Sequence, residues 1–472
     1  MFTLREILKA AGGELVVGGG RAPVVGVSTD SRAIRPGEAF VALRGTRFDG
    51  HKFITAAIDK GAAAIVFDRR HCLGPGGALL RRLQRKTGGR GVAFIGVKDT
   101  LRALGDIAAF HRRRFSLPLI AVTGSCGKTT TKDMIYVLLS GRFNILKNEG
   151  TYNNLVGLPQ TLLRLDGRIE AAVVELGAGR PGDIKRLARI CRPNIGIITN
   201  IGPAHLEFLG SPQRVGREKR ALLTMLQPPK LAIVNGDDEL LRIRRAGSRT
   251  VWTFGAGPGR DFTFSGIRQT FGGTTFLLGH RHRFRLKALG RHNVYNAAAA
   301  LACGFALGVG VKEMQERLAR FIPSCGRLKL RRIRVPGKGR GRGGSVCILD
   351  DSYNANPLSL SRAIGTLAEL PVCGRRICVI GDMLELGKGS LSWHRQLADK
   401  VVSCGAQILI TVGKLSKEAF AAAARGKKSI RVYHCACARQ AGKVLFGLAQ
   451  PGDLVLIKGS RAMEMERVVG VG

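Results

Sequence analysis

The chain has 472 residues, 76 of them Lys or Arg against 33 Asp or Glu, for a net charge of +43; 45% of residues are hydrophobic and 23% charged. That length supports about three domains, each able to bury a core, and the composition excludes a disordered or fibrous chain. No apolar run approaches the ~18 residues of a membrane span, and eleven scattered cysteines with no CxxC pair argue for reduced thiols and against a disulfide framework or a zinc site.

The positive excess has two readings. One is a nucleic-acid or membrane-surface partner. The other is a set of basic residues spread over solvated faces. Basic residues occur throughout, aromatics make up only 6%, and no run interleaves the two to stack on bases. No nucleic acid is therefore expected, although an enzyme with polyanionic substrates would gain from the same field.

MFTLREILKAAGG opens the chain with Arg5, Glu6 and Lys9 among apolar positions. That pattern predicts an amphipathic helix, not the uninterrupted apolar core of a signal peptide, so a cytoplasmic protein without membrane insertion is expected. VVGVSTDSR, GEAFVALRG and AAAIVF then predict short strands separated by turns and a helix. DTLRALGDIAAFHRRRF predicts a helix leading into a new pattern. From Leu117, strand and helix alternate. PLIAVTG runs into the helix KTTTKDMIYVLLS, and AAVVELG, IGIITNIG and LAIVNGDD are further apolar strands, each ending in a polar or Gly-containing turn. This is the signature of a doubly wound sheet with its site at the strand carboxyl ends. HNVYNAAAALACGFALG predicts a later helix rich in small residues. The basic, Gly-rich run RLKLRRIRVPGKGRGRGG follows, read as a solvated hairpin loop rather than a nucleic-acid arm. VCILDDSY, RICVIGDM, QILITVG and LVLIKGS predict a last set of strands alternating with helices. The expected fold is α/β in three domains, 1–97, 98–325 and 326–472, the central one a P-loop-type ATPase sheet and the last Rossmann-like.

The most specific chemistry lies between PLIAV and the helix after it. Thr123, Gly124, Ser125, Cys126, Gly127, Lys128, Thr129 and Thr130 form a turn from strand to helix. Glycines let the backbone curl so that N–H groups face an anion, and the helix N-terminus adds partial positive charge. Lys128 is expected to reach the outer phosphates of ATP and Thr129 to ligate Mg²⁺. The general phosphate loop has a Gly five residues before the Gly-Lys pair, where this chain has Val122. Glu175 ends the strand AAVVELG, where it suits Mg²⁺ or is a solvated turn acid. His205 follows IGIITNIG and is either a ligand or a hydrogen-bonded structural imidazole.

The shortened GxxGKT loop resembles that of the Mur ligase family and its relatives. The resemblance extends over nearly the whole chain in order: STDSR, FVALRG and DGHKFI near the start, NEGTYNNLVGLPQTLL from Asn148, AHLE at Ala204 to Glu207, DDSYNANPLSL from Asp350, GDMLELG from Gly381 with His394 downstream, and IKGSRAMEME from Ile457. It implies that His205 is a second Mg²⁺ ligand and that Lys219, fourteen residues on, is carbamylated near the metals; the acid usual two residues after this lysine is Ala221 here, with Glu218 just before. It implies that Asn296 contacts adenine, with Asn293 three residues earlier on the same helix face. Arg327 would reach the ATP phosphates when the third domain closes, and Asp351 and Tyr353 would face the nucleotide. Ser28, Asp30, Ser31 and Arg32 would bind a uridine diphosphate, or form a turn with a surface ion pair. Asn153, Asn154, Tyr353, Asn354, Asn356 and Lys458 are the remaining substrate candidates, with turn formation as the other reading of the two asparagines Asn354 and Asn356.

The branch most resembled implies a monomeric ATP-dependent amide ligase that joins D-alanyl-D-alanine to UDP-MurNAc-tripeptide with two Mg²⁺ ions, through an acyl phosphate shielded from water by closure of the third domain. No side-chain nucleophile is needed, so Cys126 reads as a spacer. Other readings are a ligase for another amino acid or folate, a nucleic-acid-stimulated NTPase and a non-catalytic nucleotide-binding module. DDSYNANP argues against the first; Lys128, Thr129, Glu175 and His205 together argue against the last.

Overall fold

The computed structural model describes residues 1–18, 23–45, 48–72, 91–242, 249–335, 343–426 and 430–471. They form two compact units: Met1–Leu119 with Asn144–Gly177 and Asp183–Pro193, and Ile120–Phe143 with Ala178–Gly182 and Asn194–Gly472.

The first unit opens with helix Leu4–Ala11. Thr3 and Glu6 form a reciprocal capping box at its start, and Gly12 ends it in the left-handed region. Its buried face, Ile7 and Ala11, packs with Ala103, Leu104 and Ile107 of helix Thr100–Arg112. The sheet contains β1 (Glu14–Val17), β2 (Val27–Ser28), β3 (Ala39–Val41), β4 (Ala64–Asp68) and β5 (Ala93–Val97), in the order β1-β5-β4-β3-β2. Only β1 runs antiparallel to its neighbour. β3 and β5 are buried along their whole length and β4 except at its last residue, as strands covered on both faces must be. Strands β7 (Ile145–Lys147) and β8 (Ala171–Glu175) pair in parallel in the same unit. The buried Arg112 guanidinium donates to the carbonyls of Cys191, Phe115 and Leu117 and so ties helix Thr100–Arg112 to helix Asp183–Cys191.

In the second unit, β6 (Leu119–Thr123), β9 (Ile195–Ile198), β10 (Leu231–Asn235) and β11 (Thr250–Gly255) are parallel. They continue into an antiparallel meander of β12 (Phe262–Thr270), β13 (Gly273–Leu278) and β14 (His282–Leu286). The meander was not among the expected strands. Its members carry Arg, His and Thr on an open face and so lack the continuous apolar run of β6 or β10. Helix Arg291–Ala306 packs on helix Lys128–Leu139 through a run of small buried residues, Ala297 to Ala300.

The last sheet has the order β15-β16-β20-β17-β18-β19, from β15 (Lys329–Val335), β16 (Gly344–Asp351), β17 (Arg376–Gly381), β18 (Ile408–Val412), β19 (Arg431–Cys435) and β20 (Leu454–Lys458). All pairings are parallel except β15 with β16. This corrects the reading of RLKLRRIRVPGKGRGRGG as a loop. Its first half is a seven-residue edge strand, and residues 336–342 of the run lie outside the described residues. Leu330 and Ile333 give the strand its apolar contacts, while Arg331, Arg332 and Arg334 charge the edge and discourage pairing with another chain. Among the described residues, no helix is long and apolar enough to cross a membrane.

Candidate active site

The phosphate loop turns sharply because two of its positions admit only glycine. Gly124 has φ +152, and a Cβ there would lie 1.9 Å from Thr199 Oγ1. Gly127 caps the helix at φ +82, and a Cβ there would lie 2.2 Å from Asn296 Oδ1. The segment after β9 holds the loop in place. Asn200 accepts from the Cys126 amide on its side-chain oxygen at 2.9 Å and donates to the Cys126 carbonyl at 2.9 Å. Thr199 donates to the same carbonyl at 2.6 Å. Ser125 donates to the Gly202 carbonyl at 3.0 Å and accepts from the Gly202 amide at 2.9 Å. The Ser125 amide donates to the Asn200 carbonyl at 2.9 Å, so the anion seat narrows from the whole loop to the helix start. The first helical bond runs from Thr131 N–H to the Gly127 carbonyl; residues 127 to 130 therefore supply the four amides that a helix N-terminus cannot satisfy internally. The Lys128 ammonium bends back to the Gly124 carbonyl at 2.9 Å.

Asn293 and Asn296 are both buried. Asn296 donates to Asn293 Oδ1 at 2.9 Å, and Asn293 donates to the Leu289 carbonyl at 2.7 Å. This relay aims the Asn296 oxygen at Gly127.

The C-terminal sheet contributes directly to the loop. Arg327 donates to the Thr129 hydroxyl at 2.8 Å, with its guanidinium 4.1 Å from the centre of the Tyr353 ring. Asp351 accepts from the Leu328 amide at 3.1 Å and from Lys458 Nζ at 2.5 Å. Lys458 also donates to the Asn354 carbonyl at 2.8 Å, and Asn354 Oδ1 accepts from the Ala355 and Arg461 amides. Asn356 is the N-cap of helix Pro357–Glu369. Its amide group reaches the loop, accepting from Cys126 Sγ at 3.3 Å and donating to the Ser125 carbonyl at 3.4 Å.

His205 has φ +53 and places Nδ1 2.6 Å from Glu385 Oε2. Lys219 is 2% exposed in helix Pro212–Arg220; its neighbour Glu218 accepts from the Gly182 amide at 2.8 Å.

In the first unit, Glu175 is 3% exposed and accepts from Asn153 Nδ2 at 2.8 Å. Buried Asn148 clamps its main chain, accepting from Glu175 N–H at 2.9 Å and donating to Glu175 C=O at 3.1 Å. Asn154 accepts from the amides of Val156 and Gly157 at the start of helix Gly157–Leu162. Ser28 bridges the turn to Asp30, and Arg32 grips Asp30 with two side-chain bonds, at 3.0 and 2.8 Å. That guanidinium holds the Asp30 carboxyl down at about 2. Ser31 sits between them, half-exposed. Thr29 of the same turn meets Gln160, which links STDSR to the NEGTYNNLVGLPQ segment.

Sequence reading did not single out Asn148, Gln160, Thr199, Asn200 or Glu385, although all stand in segments it quoted. Their roles arise from partners far along the chain, which no spacing rule encodes.

The donors fit Mg²⁺. Taken one by one, Thr129 and Glu175 offer hard oxygens, and His205 an imidazole whose Nδ1 faces a carboxylate. Among the described residues no three His, Cys, Asp or Glu side chains gather by themselves into a metal cluster. Mg²⁺ is typically held by one or two carboxylates plus substrate phosphates.

Comparison with known proteins identifies the family. Residues 122–304 match the Mur ligase middle domain, 331–461 the Mur ligase glutamate ligase domain and 23–112 the Mur ligase family catalytic domain. The chain is 33% identical over 445 residues to the UDP-N-acetylmuramoyl-tripeptide–D-alanyl-D-alanine ligase of Bacillus subtilis, covering 94% of this chain and 92% of that protein. The crystal structure of MurF from Acinetobacter baumannii superposes with a TM-score of 0.85 at 30% identity, over 99% of this chain and 98% of that one. The MurF ligase from Thermotoga maritima in complex with ADP gives 0.80 at 28%, over 95% and 97%. A glycine-pinched phosphate loop met by an arginine from a separate Rossmann-like sheet, on a chain alike from end to end, makes this protein a member of the Mur ligase family.

Proposed function

We propose that the chain is an ATP-dependent amide ligase that adds D-alanyl-D-alanine to UDP-N-acetylmuramoyl-tripeptide, giving UDP-MurNAc-pentapeptide, ADP and phosphate in peptidoglycan synthesis. The observation that carries this is Arg327 on Thr129: the phosphate seat is completed by a residue from the sheet that also bears Asp351, Tyr353 and Asn356. An ATPase acting alone has no need of that second sheet.

The terminal carboxylate of the tripeptide attacks the γ-phosphorus of ATP. The bond to the bridging oxygen breaks and ADP leaves. The dipeptide amine then attacks the acyl carbon, phosphate leaves, and the amine's surplus proton goes to solvent or phosphate. The first step brings two anions together, so positive charge must be in place beforehand. Lys128, Arg327 and the amides of residues 127 to 130 supply it. Thr129, Glu175 and His205 would each serve as a ligand for Mg²⁺, two ions in all, which would offset further charge on the phosphates, and Lys219 would be carbamylated. Asn296 borders the adenine. Ser28, Asp30, Ser31 and Arg32 take the uridine diphosphate; the Asp30–Arg32 pair is solvent-exposed and therefore weak, so Arg32 can exchange Asp30 for a phosphate at little cost. Asn153 and Asn154 flank the tripeptide. Tyr353, Asn354, Asn356 and Lys458 receive the dipeptide; Lys458 has used two of its three donors and keeps one for a carboxylate. The enzyme acts as a cytoplasmic monomer with domains 1–97, 98–325 and 326–472.

Phosphate release from ATP, measured with UDP-MurNAc-tripeptide and with or without D-Ala-D-Ala, tests this. Release is expected only with both acceptor substrates. Release independent of the dipeptide refutes the reading, and activity retained in Lys128→Ala refutes the role of the loop.

A further inference from the structure

Glu385 lies outside every role described so far, yet its surroundings are built around it. It sits in GDMLELG, at the turn after β17. Four bonds pin that turn. The Met383 amide donates to His394 Nε2 at 3.0 Å, the Leu384 amide donates to Ser460 Oγ at 2.8 Å, and Asp382 accepts from the amides of Leu415 and Ser416 at 3.1 and 2.7 Å. His394 is wholly buried and bonds the Ser390 carbonyl through Nδ1 at 2.7 Å. Since its Nε2 accepts, it is neutral with the proton on Nδ1, and burial lowers its pKa accordingly.

The turn meets the segment His205–Glu207, which follows β9, at two points. The Glu207 amide donates to the Glu385 carbonyl at 3.1 Å, and the Glu385 carboxylate lies 2.6 Å from His205 Nδ1. Both residues are non-glycine residues in the left-handed region, His205 at φ +53 and Glu385 at φ +62. Each such residue is disfavoured and persists only where its surroundings hold it. Two facing each other across one hydrogen bond point to a maintained contact. An imidazole whose Nδ1–H donates to a carboxylate has its lone pair on Nε2, which is how metal-binding histidines are oriented.

We propose that Glu385 is a positioning residue: it fixes the tautomer and ring orientation of His205, so that the C-terminal domain completes the metal site of the central domain. This rests on His205 being a metal ligand. Its consequence is reciprocal: docking of the 383–387 turn raises metal affinity, and bound metal favours the docked turn.

The test is Mn²⁺ binding to the full chain in the presence of ADP, followed by the EPR signal of free Mn²⁺. Glu385→Ala is expected to weaken Mn²⁺ binding by about 10–100-fold, and Glu385→Gln, which can still accept from Nδ1–H, by less. In a His205→Ala background, Glu385→Ala should have no further effect. A merely structural role would weaken binding equally in both backgrounds, and that result overturns the proposal. So does an Mn²⁺ affinity in Glu385→Ala within about twofold of the parent while His205→Ala loses at least tenfold, well short of the 10–100-fold expected for a supporting partner. If His205→Ala itself leaves Mn²⁺ binding unchanged, the ligand reading of His205 fails and the proposal fails with it.

Discussion

Arg327 donates to the hydroxyl of Thr129 at 2.8 Å, across 198 residues of sequence. The arginine stands at the entry to β15 and the threonine is the second residue of the phosphate helix. Their contact makes the phosphate seat a joint product of two sheets. The Arg327 guanidinium lies over the Tyr353 ring, 4.1 Å from its centre, a contact in which a lysine does not replace an arginine.

Arg327→Ala should therefore lower kcat by about 100-fold, the scale seen when one preorganised donor to a transition state is removed. Arg327→Lys should recover little of it. Steady-state phosphate release gives the comparison; a kcat for Arg327→Ala within a few-fold of the parent would show that the arginine does not act on the reacting phosphates.

Gly127→Ala places a Cβ 2.2 Å from Asn296 Oδ1 at φ +82. The left-handed geometry alone costs roughly 1–2 kcal/mol, and the clash pushes the helix start away from its seat. ADP binding by calorimetry should weaken by at least tenfold, on the order of the same 1–2 kcal/mol. Removing the obstacle with Asn296→Ala should relieve the clash but not the strain. Unaltered ADP affinity in Gly127→Ala would contradict this geometry.

Asn148 is fully buried and serves both the N–H and the C=O of Glu175. Asn148→Ala removes this partner from both groups, at about 1–3 kcal/mol each. Urea unfolding should show a loss of roughly 2–4 kcal/mol, and Glu175 should lose its fixed place at the end of β8. A midpoint equal to that of the parent would mean that solvent satisfies these groups.

Burial, together with the charges of Arg362 and Lys458, pushes His292 down to about 3. In the unfolded chain a histidine titrates near ~6.5. Between these two values the unfolded chain binds the extra proton, so the stability present above pH ~6.5 drains away as pH falls toward 3. His292→Gln should make urea midpoints at pH 7.5, 6 and 5 more nearly equal. Parallel pH slopes for the two proteins would mean that His292 is already charged in the fold.

Much of the architecture was legible because its signals are local. β6, β10 and β20 are continuous apolar runs, and helix Lys128–Leu139 begins at a glycine turn. β15 and the β12–β14 meander were harder, since edge and one-sided strands mix charged and apolar residues and so resemble loops. The phosphate loop was legible down to its residue types. That Ser125 and Cys126 spend their amides on Asn200 was not.

The sequence by itself determined the loop chemistry, the order of the motifs and the residue types offered for phosphate, metal and substrate, because these depend on neighbours a few positions apart. Only the tertiary structure decided which of them meet. Arg327 reaches Thr129, Asn356 reaches Cys126 and Glu385 reaches His205 because separate sheets are packed together. Those pairings depend on the packing of whole elements, whose energy is distributed over many side chains and written in no single motif.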